Sequence, residues 1–270
     1  MKILLVGDIV GSPGRRVFRE VVKRLRAESA VHSVVANAEN AAAGNGITLA
    51  LAEELFAAGA DVITMGDHVW GQRELEATIG GEKRLVRPVN FPPGTPGQGY
   101  ATVQTALGPV TVVNLLGRVF MNPVDCPFRA MDALLNSLPR NVPVIVDFHA
   151  EATSEKIAMG HYLDGRVAAV VGTHTHVQTS DAGLLPRGTA YMTDLGMTGP
   201  IHSVIGREIA PVLKKFTTGI PARFEVANGP CVLEGAVLEL DRASGRAVGI
   251  TPFRYREADA AGRAPQGQGA

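Results

Sequence analysis

Two histidines stand two residues apart in GTHTHVQT, residues 172–179, directly after the apolar run VAAVV. In an extended strand the side chains of residues i and i+2 point to the same face, so we expect His174 and His176 to lie side by side. Histidine is the commonest metal ligand, but it is also frequent in turns. The pair indicates a metal site only if other parts of the chain supply further ligands.

Four more apolar runs end in side chains that can bind a metal ion. ILLV leads into Asp8, SVVANA into Glu39 and Asn40, VITM into Asp67 and His68, and VPVIVDF into His149. Each has an ordinary explanation alone, as a turn residue, a polar loop entry or a hydrogen-bonded core histidine. The carboxyl ends of strands form the ligand crevice of open α/β sheets. Five strand ends with such residues therefore favour one shared metal centre.

The candidate ligands are carboxylates, imidazoles and one amide, without a cysteine. This composition excludes a cysteine-rich structural zinc site, and it favours iron, manganese or zinc over calcium or magnesium because imidazole prefers transition metals. The set is larger than one ion needs, whereas two ions that share a bridging carboxylate would use it fully. Two metals about 3.5–4 Å apart can clamp the attacking and leaving oxygens of a phosphoryl displacement.

The order of these motifs resembles that of the calcineurin-like dinuclear metallophosphoesterases. GDIVGSPGR, NAEN, FHAEATSEK, GTHTHVQT and DLGMTGP resemble one branch, the bacterial 2′,3′-cyclic-nucleotide 2′-phosphodiesterase-type proteins. The resemblance implies an α/β fold, a four-layer α-β-β-α sandwich of two mixed sheets flanked by helices. It also implies a metal-dependent phosphodiesterase whose expected substrates are 2′,3′-cyclic nucleotides.

Carried over residue by residue, the resemblance implies two transition-metal ions per chain, with iron expected and manganese or zinc as alternatives. One ion is held by Asp8, Glu39, Asn40 and His176, and the other by Glu39, Asp67, His149 and His174. His68 is left over, and we expect it to act as the general acid that protonates the departing ribose oxygen. A metal-bridging hydroxide would attack phosphorus in line. Asp147 and Glu151 share strand parity with His149 and either orient its ring or remain solvated.

Three positions depart from the wider superfamily. Val10 replaces the histidine of the Asp-x-His motif, Glu39 stands where aspartate is common, and Asp67 stands where asparagine is expected. With Asp8, Glu39 and Asp67 ionised, the ligands carry about −3 against about +4 from two divalent ions, because ligands bind deprotonated. The site would still be positive, and a trivalent iron would restore the charge that Asp67 removes.

The elements that must position these residues alternate between apolar runs and helical periodicity. We expect strands over 3–6, 33–40, 61–69, 142–150, 167–177 and 190–196, and helices over 15–29, 49–59, 127–138 and 153–163. Two strands should meet at Gly108-Pro109, and the last third should be antiparallel strands with turns at Asn228-Gly229 and Ser244-Gly245. We expect one domain over 1–256 and a disordered tail over 257–270, which has little to bury.

Composition restricts the partners. The 26 basic and 26 acidic side chains balance, so nothing indicates an extended nucleic-acid surface or a membrane partner. The partner that the resemblance implies is a small phosphodiester, a cyclic nucleotide. The two cysteines argue against a disulfide framework. The N-terminus lacks a signal-peptide pattern, and no apolar run of about 18 residues is present, so we expect a cytoplasmic protein. The oligomeric state stays open, a homo-oligomer included.

Two other functions remain compatible with these residues. An activated metal hydroxide also serves hydrolysis of another bond, such as an amide or an ester. From a different class, the chain could be a regulatory nucleotide- or RNA-binding protein whose dinuclear site is vestigial or holds a nucleotide signal. The complete ligand set and the unused His68 favour catalysis.

Overall fold

The computed structural model describes residues 1–105 and 107–258. The strands are Lys2–Val6 (β1), Asp8–Ile9 (β2), Ser33–Asn37 (β3), Val62–Thr64 (β4), Leu85–Val86 (β5), Tyr100–Thr105 (β6), Gly108–Leu116 (β7), Val144–His149 (β8), Ala169–Thr173 (β9), Gly183–Leu184 (β10), Ala190–Met192 (β11), Met197–Pro200 (β12), Cys231–Leu240 (β13) and Ala247–Arg256 (β14). The helices are Gly11–Ala27 (α1), Leu49–Ala57 (α2), Leu75–Thr78 (α3), Pro127–Ser137 (α4), Thr153–Leu163 (α5) and Ile209–Thr218 (α6), and Ile79–Gly81 is a 3-10 turn. Within these described residues, every helix is too short or too polar to cross a membrane.

The strands form two mixed sheets. The first has the order β2-β12-β13-β1-β3-β4-β5, with β14 paired to β13, and the second has the order β10-β11-β9-β8-β7-β6. In the first sheet β1, β3, β4 and β5 run parallel, and β13 lies antiparallel to β1. In the second sheet β7, β8, β9 and β11 run parallel. Each sheet therefore presents a row of parallel carboxyl ends.

Alternate side chains of the central strands divide the core into layers. In β1, Leu4 packs with the apolar stripe of α1, whereas Ile3 and Leu5 pack between the two sheets. In β8, Phe148 packs with α4 and α5, whereas Ile145 packs in the space between the two sheets. Because neighbouring strand residues face opposite sides, each sheet is buried on both faces. The expected four-layer α-β-β-α sandwich is confirmed.

Several predicted strands are too long at their carboxyl ends. The predicted strand 33–40 ends at Asn37, the strand 61–69 ends at Thr64, and the strand 167–177 ends at Thr173. In each case the chain leaves the sheet where the polar motif begins. The predicted metal-binding residues of these three segments therefore lie on loops, where the backbone is free to aim them.

The last third differs from the prediction at one of its two turns. Gly245, with φ 68°, lies in the turn between β13 and β14, so the predicted Ser244-Gly245 turn is confirmed. Asn228-Gly229 does not join two strands, because Val226 forms only an isolated bridge with Arg207. Helix α6 was not predicted. Most of the predicted tail, residues 259–270, lies outside the described residues, and Glu257 forms an ion pair with Arg16.

Candidate metal centre

The predicted ligands meet where the carboxyl ends of the two sheets face each other. Asp8 follows β1, Glu39 and Asn40 follow β3, and Asp67 follows β4, all in the first sheet. His149 ends β8, and His174 and His176 follow β9 in the second sheet. Both sheets therefore contribute residues to the candidate centre.

Four of these side chains form a tight cluster. The ligand atoms of Glu39, Asp67, His149 and His174 all lie within 4.8 Å of one another. His149 Nε2 is 3.1 Å from Asp67 Oδ1, 3.3 Å from Glu39 Oε2 and 3.0 Å from His174 Nδ1. Imidazole nitrogens and carboxylate oxygens that point at one spot fit a transition-metal ion, which accepts all of their lone pairs. The cluster has the composition of one predicted metal position.

Asp8, Asn40 and His176 gather beside this cluster. Asp8 is fully buried, and its Oδ1 has no hydrogen-bond partner among the described residues. His176 Nε2 lies 3.7 Å from that oxygen and 3.2 Å from Asn40 Nδ2. A buried carboxylate oxygen without a partner needs an explanation, and a bound cation provides one. These residues therefore fit a second ion.

Glu39 and Asn40 join the two groups. Glu39 Oε1 is 3.1 Å from Asn40 Nδ2, and Glu39 Oε2 faces His149, so the two oxygens of this carboxylate face different groups, as a bridging ligand requires. Asn40 turns its amide nitrogen toward Glu39 and His176 and its oxygen toward His68 Nδ1, at 2.9 Å. An amide ligates a metal through oxygen, so ligation by Asn40 requires the reverse orientation of the amide.

The charges of the centre respond strongly to one another. Burial raises the pKa of Asp8. For Glu39 and Asp67 burial also acts to raise the pKa, but the neighbouring histidines outweigh it and hold both carboxyls well below their usual range. The pKa of His149 is raised by Glu39 and Asp67 although its burial opposes this. The centre therefore attracts positive charge, which either protons or metal ions can supply.

A hydroxyl relay fixes the ring of His149. Thr173 Oγ1 donates its hydrogen to Asp147 Oδ1 at 2.7 Å, so at 2.9 Å it accepts a hydrogen bond from His149 Nδ1. This arrangement places the ring proton on Nδ1 and leaves Nε2 free for a metal ion. Of the two alternatives left open for Asp147, a solvated carboxylate is wrong because the residue is buried, and its contact with His149 runs through Thr173. Glu151 contacts a different histidine, with its Oε2 3.2 Å from His174 Nε2.

The backbone of the GTHTHVQT loop differs from the extended strand that was predicted. His174 and His176 have φ values of 100° and 63°, so they do not share a strand face, and the parity argument for the pair is wrong. Thr175 between them donates its N–H and its hydroxyl to Asp194 Oδ2, at 3.2 and 2.7 Å. Lys156 Nζ lies 2.6 Å from the same oxygen. Sequence reasoning missed this support, although Lys156 lies in FHAEATSEK and Asp194 lies in DLGMTGP.

Gly66 lets β4 approach the centre closely. A Cβ atom at this position would collide with the His149 ring and with the Glu39 carboxylate. Only glycine leaves this space free. The glycine of the Gly66-Asp67-His68 motif is therefore required by the packing of the ligands.

His68 lies at the wall of a cavity of about 310 Å³, which His174, His176, Glu151, Ile205 and Arg207 also line. Its Nδ1 is 3.1 Å from Glu39 Oε1, and its side chain is 39% exposed. The hydrogen bond with Glu39 raises the pKa of His68, against the opposing effect of burial. A histidine held toward its protonated form beside a cavity is suited to donate a proton there.

Two stacked mixed sheets carry the candidate metal-binding residues at their carboxyl edges, as the resemblance to the calcineurin-like metallophosphoesterases implied, and the chain is an enzyme of the phosphodiesterase class. A family model described as YmdB-like protein matches residues 4–253, and the chain belongs to this family. The 2′,3′-cyclic-nucleotide 2′-phosphodiesterase of Bacillus subtilis (strain 168) is 48% identical over 251 residues, which cover 93% of this chain and 95% of the relative.

Two solved structures have the same fold. A hypothetical protein from Thermus thermophilus superposes with a TM-score of 0.90 at 43% identity, covering 96% of this chain and 100% of that one. A novel phosphatase from Mycoplasma pneumoniae also gives a TM-score of 0.90, at 34% identity, covering 96% and 95%. The family resemblance and the enzyme class expected from the sequence are confirmed.

Proposed function

We propose that the chain is a metal-dependent phosphodiesterase that hydrolyses 2′,3′-cyclic nucleotides. The observation that carries the proposal is the convergence of Glu39, Asp67, His149 and His174 beside the unpartnered Oδ1 of Asp8. The name of the Bacillus subtilis relative supports this substrate class. The phosphodiesterase and phosphatase names of its relatives favour phosphoester bonds over the amide and ester bonds that the sequence left open.

Seven residues are the proposed ligands of two transition-metal ions, with iron expected and manganese or zinc as alternatives. They are Asp8, Glu39, Asn40, Asp67, His149, His174 and His176. Bound there, the ions would supply an acidified water and positive charge against the phosphoryl oxygens. The chain's own contribution is to aim the ligand atoms, through the Thr173 relay for His149 and through Asp194 for the loop of His174 and His176.

His68 is the proposed proton donor. Its ring is held by Glu39 and Asn40 at the cavity wall, and the hydrogen bond with Glu39 raises its pKa. The departing ribose oxygen is a strong base and leaves more readily when it is protonated. His68 therefore stabilises the leaving group, and the metal ligands are separate residues.

Elemental analysis of the purified protein, combined with an assay on 2′,3′-cyclic nucleotides, tests the proposal. We expect two transition-metal ions per chain and metal-dependent hydrolysis of the same sample. One ion or none in metal-replete protein would contradict the ligand assignment. Protein with two ions that leaves cyclic nucleotides intact would contradict the substrate assignment.

His68→Ala tests the proton donor separately. Turnover of a cyclic nucleotide should fall by roughly 10²–10⁴, the usual contribution of general acid–base catalysis, while both ions stay bound. A nitrophenyl phosphodiester leaves without a proton, so its hydrolysis should fall much less. His161→Ala, on an exposed face of α5, is the control and should change neither activity nor metal content. Equal losses on both substrates would argue against proton donation.

A further inference from the structure

A second cleft shares Asp67 with the metal centre. It has a volume of about 230 Å³, and Trp70, Phe91, Leu116, Pro123 and Val124 line it together with Asp67. Of the described residues that line it, Asp67 is the one with a charged side chain. The cavity beside His68 is instead lined by several charged side chains, among them Glu39, Glu151 and Arg207. The two spaces beside the candidate metal centre therefore differ in the charge of the side chains that line them.

Two aromatic rings form a wall of this cleft. The ring centroids of Trp70 and Phe91 are 6.4 Å apart, and their planes are tilted by 37°. Trp70 is 36% exposed, so a large apolar ring faces solvent only two residues after His68. The N–H of Gly71 donates to the carbonyl of His68 at 2.8 Å, which closes the short turn that carries Trp70.

Buried hydrogen bonds hold the two sides of the cleft together. Asn90, which is buried, donates through Nδ2 to the carbonyls of Leu116 and Asp125 at 2.8 and 2.9 Å. Its Oδ1 accepts from the N–H of Leu116 at 2.9 Å. The guanidinium of Arg87 donates to three carbonyl oxygens around Phe91, those of Pro88, Thr95 and Pro96. The wall is therefore preformed, which lowers the entropy lost on binding.

We propose that this cleft binds the nucleobase of the substrate by stacking it against Trp70 while the phosphodiester lies at the metal centre. The inference rests on the proposed function and adds what recognises the substrate. A nucleobase is planar and uncharged, and it stacks on aromatic side chains whatever its identity. The cleft is smaller than the roughly 300–1,000 Å³ of sites that enclose a whole small molecule, so it suits one ring system. The negative charge of Asp67 disfavours a second phosphate there.

Fluorescence tests this assignment without any turnover, because Trp70 is the only tryptophan in the sequence. Adenosine 3′-phosphate should quench the emission saturably when the ring is excited where adenine does not absorb. Methylribose 3-phosphate, which has no base, should leave the emission unchanged. Absence of saturable quenching by adenosine 3′-phosphate overturns the inference. Another outcome is saturable quenching by adenosine 3′-phosphate in a protein that hydrolyses no cyclic phosphodiester. That result would support the base site and refute the proposed function.

Kinetics of Trp70→Ala supply the second test. On 2′,3′-cyclic AMP, kcat/KM should fall roughly 5- to 150-fold through KM, the loss expected when one base loses its aromatic partner. Methylribose 2,3-cyclic phosphate should be hydrolysed as by the wild type, and Trp70→Phe should restore most of the loss. Phe216→Ala removes another exposed aromatic ring, 78% exposed on α6, and should change neither substrate. Equal losses on both substrates, or no loss on either, overturn the inference.

Discussion

Replacing Lys156 with methionine tests how the loop of His174 and His176 is held. Lys156 is 1% exposed, and its Nζ lies 2.6 Å from Oδ2 of the equally buried Asp194. That oxygen also accepts both hydrogen bonds of Thr175, and Oδ1 accepts the N–H of Gly196. Methionine keeps the unbranched shape of the side chain, is one atom shorter, and removes the charge. The carboxylate then stays buried with three donors but without its cation.

The expected loss of stability follows from that geometry. Breaking a buried ion pair costs about 3–5 kcal/mol, and the three remaining donors to Asp194 place this case near about 3 kcal/mol. In a domain of this size each kcal/mol lowers Tm by about 2–4 °C, so the fall should be about 6–12 °C. The loop should also hold its two histidines less firmly, so the metal content should fall.

Thermal unfolding of the metal-free protein measures the fall in Tm, and elemental analysis of the reloaded protein measures the fall in metal content. Arg166→Met is the matched control, because Arg166 pairs with Asp132 at the same 2.6 Å on the surface, with side chains 37% and 42% exposed. A surface pair contributes only about 0–1 kcal/mol. If Lys156→Met lowers Tm no more than Arg166→Met, the buried pair does not support the loop.

Three further predictions concern single contacts. Gly66→Ala should abolish metal binding because the new Cβ collides with His149 and Glu39. Gly80→Ala, whose Cβ has no atom within 4 Å, should bind metal normally, and elemental analysis of both variants measures the difference. Thr173→Val removes the relay to His149, so it should weaken metal binding by about 10–100-fold, as measured by chelator competition. The control is Thr111→Val, at another buried threonine of the second sheet, which should leave metal binding unchanged. Burial raises the pKa of Cys231 to about 11, so iodoacetamide at pH 8 should alkylate Cys126 first in the native protein; mass spectrometry that finds Cys231 modified equally fast would contradict this.

The buried strands and the position of the candidate centre could be predicted because both depend on patterns within short segments, whereas the four layers were implied by the family resemblance. Apolar runs such as ILLV and VAAVV marked the buried strands, and the polar residues directly after them marked the carboxyl edges. Thr48 is recognisable as a helix cap, and its side chain accepts the N–H of Leu51 at 3.2 Å. Parallel strands bring such ends together whatever the loops between them do.

The supporting residues could not be predicted in the same way, because their roles arise between segments far apart in sequence. Thr173 joins His149 to Asp147, and Lys156 reaches Asp194 across 38 positions. Helix α6 was overlooked although its apolar residues have the i, i+3, i+4, i+7 spacing of a helix; they are Ile209, Val212, Leu213 and Phe216, of which only Val212 is buried. The conformation of a loop also cannot be predicted from hydrophobic periodicity, and for this reason the strand before His174 was predicted to be too long.

The left-handed backbone at His174 and His176 explains why the contacts of Thr175 with Asp194, and of Asp194 with Lys156, are important. A residue other than glycine held at positive φ costs about 1–3 kcal/mol, and it persists only when its surroundings fix it. Here the turn sends His174 toward Glu39 and Asp67 and His176 toward Asp8, which an extended strand could not do with both rings on one face. Thr175, between the two strained residues, is the one tied to Asp194 and through it to Lys156. The buried ion pair therefore acts on the candidate metal centre through the backbone, and its removal should affect both proposed metal positions together.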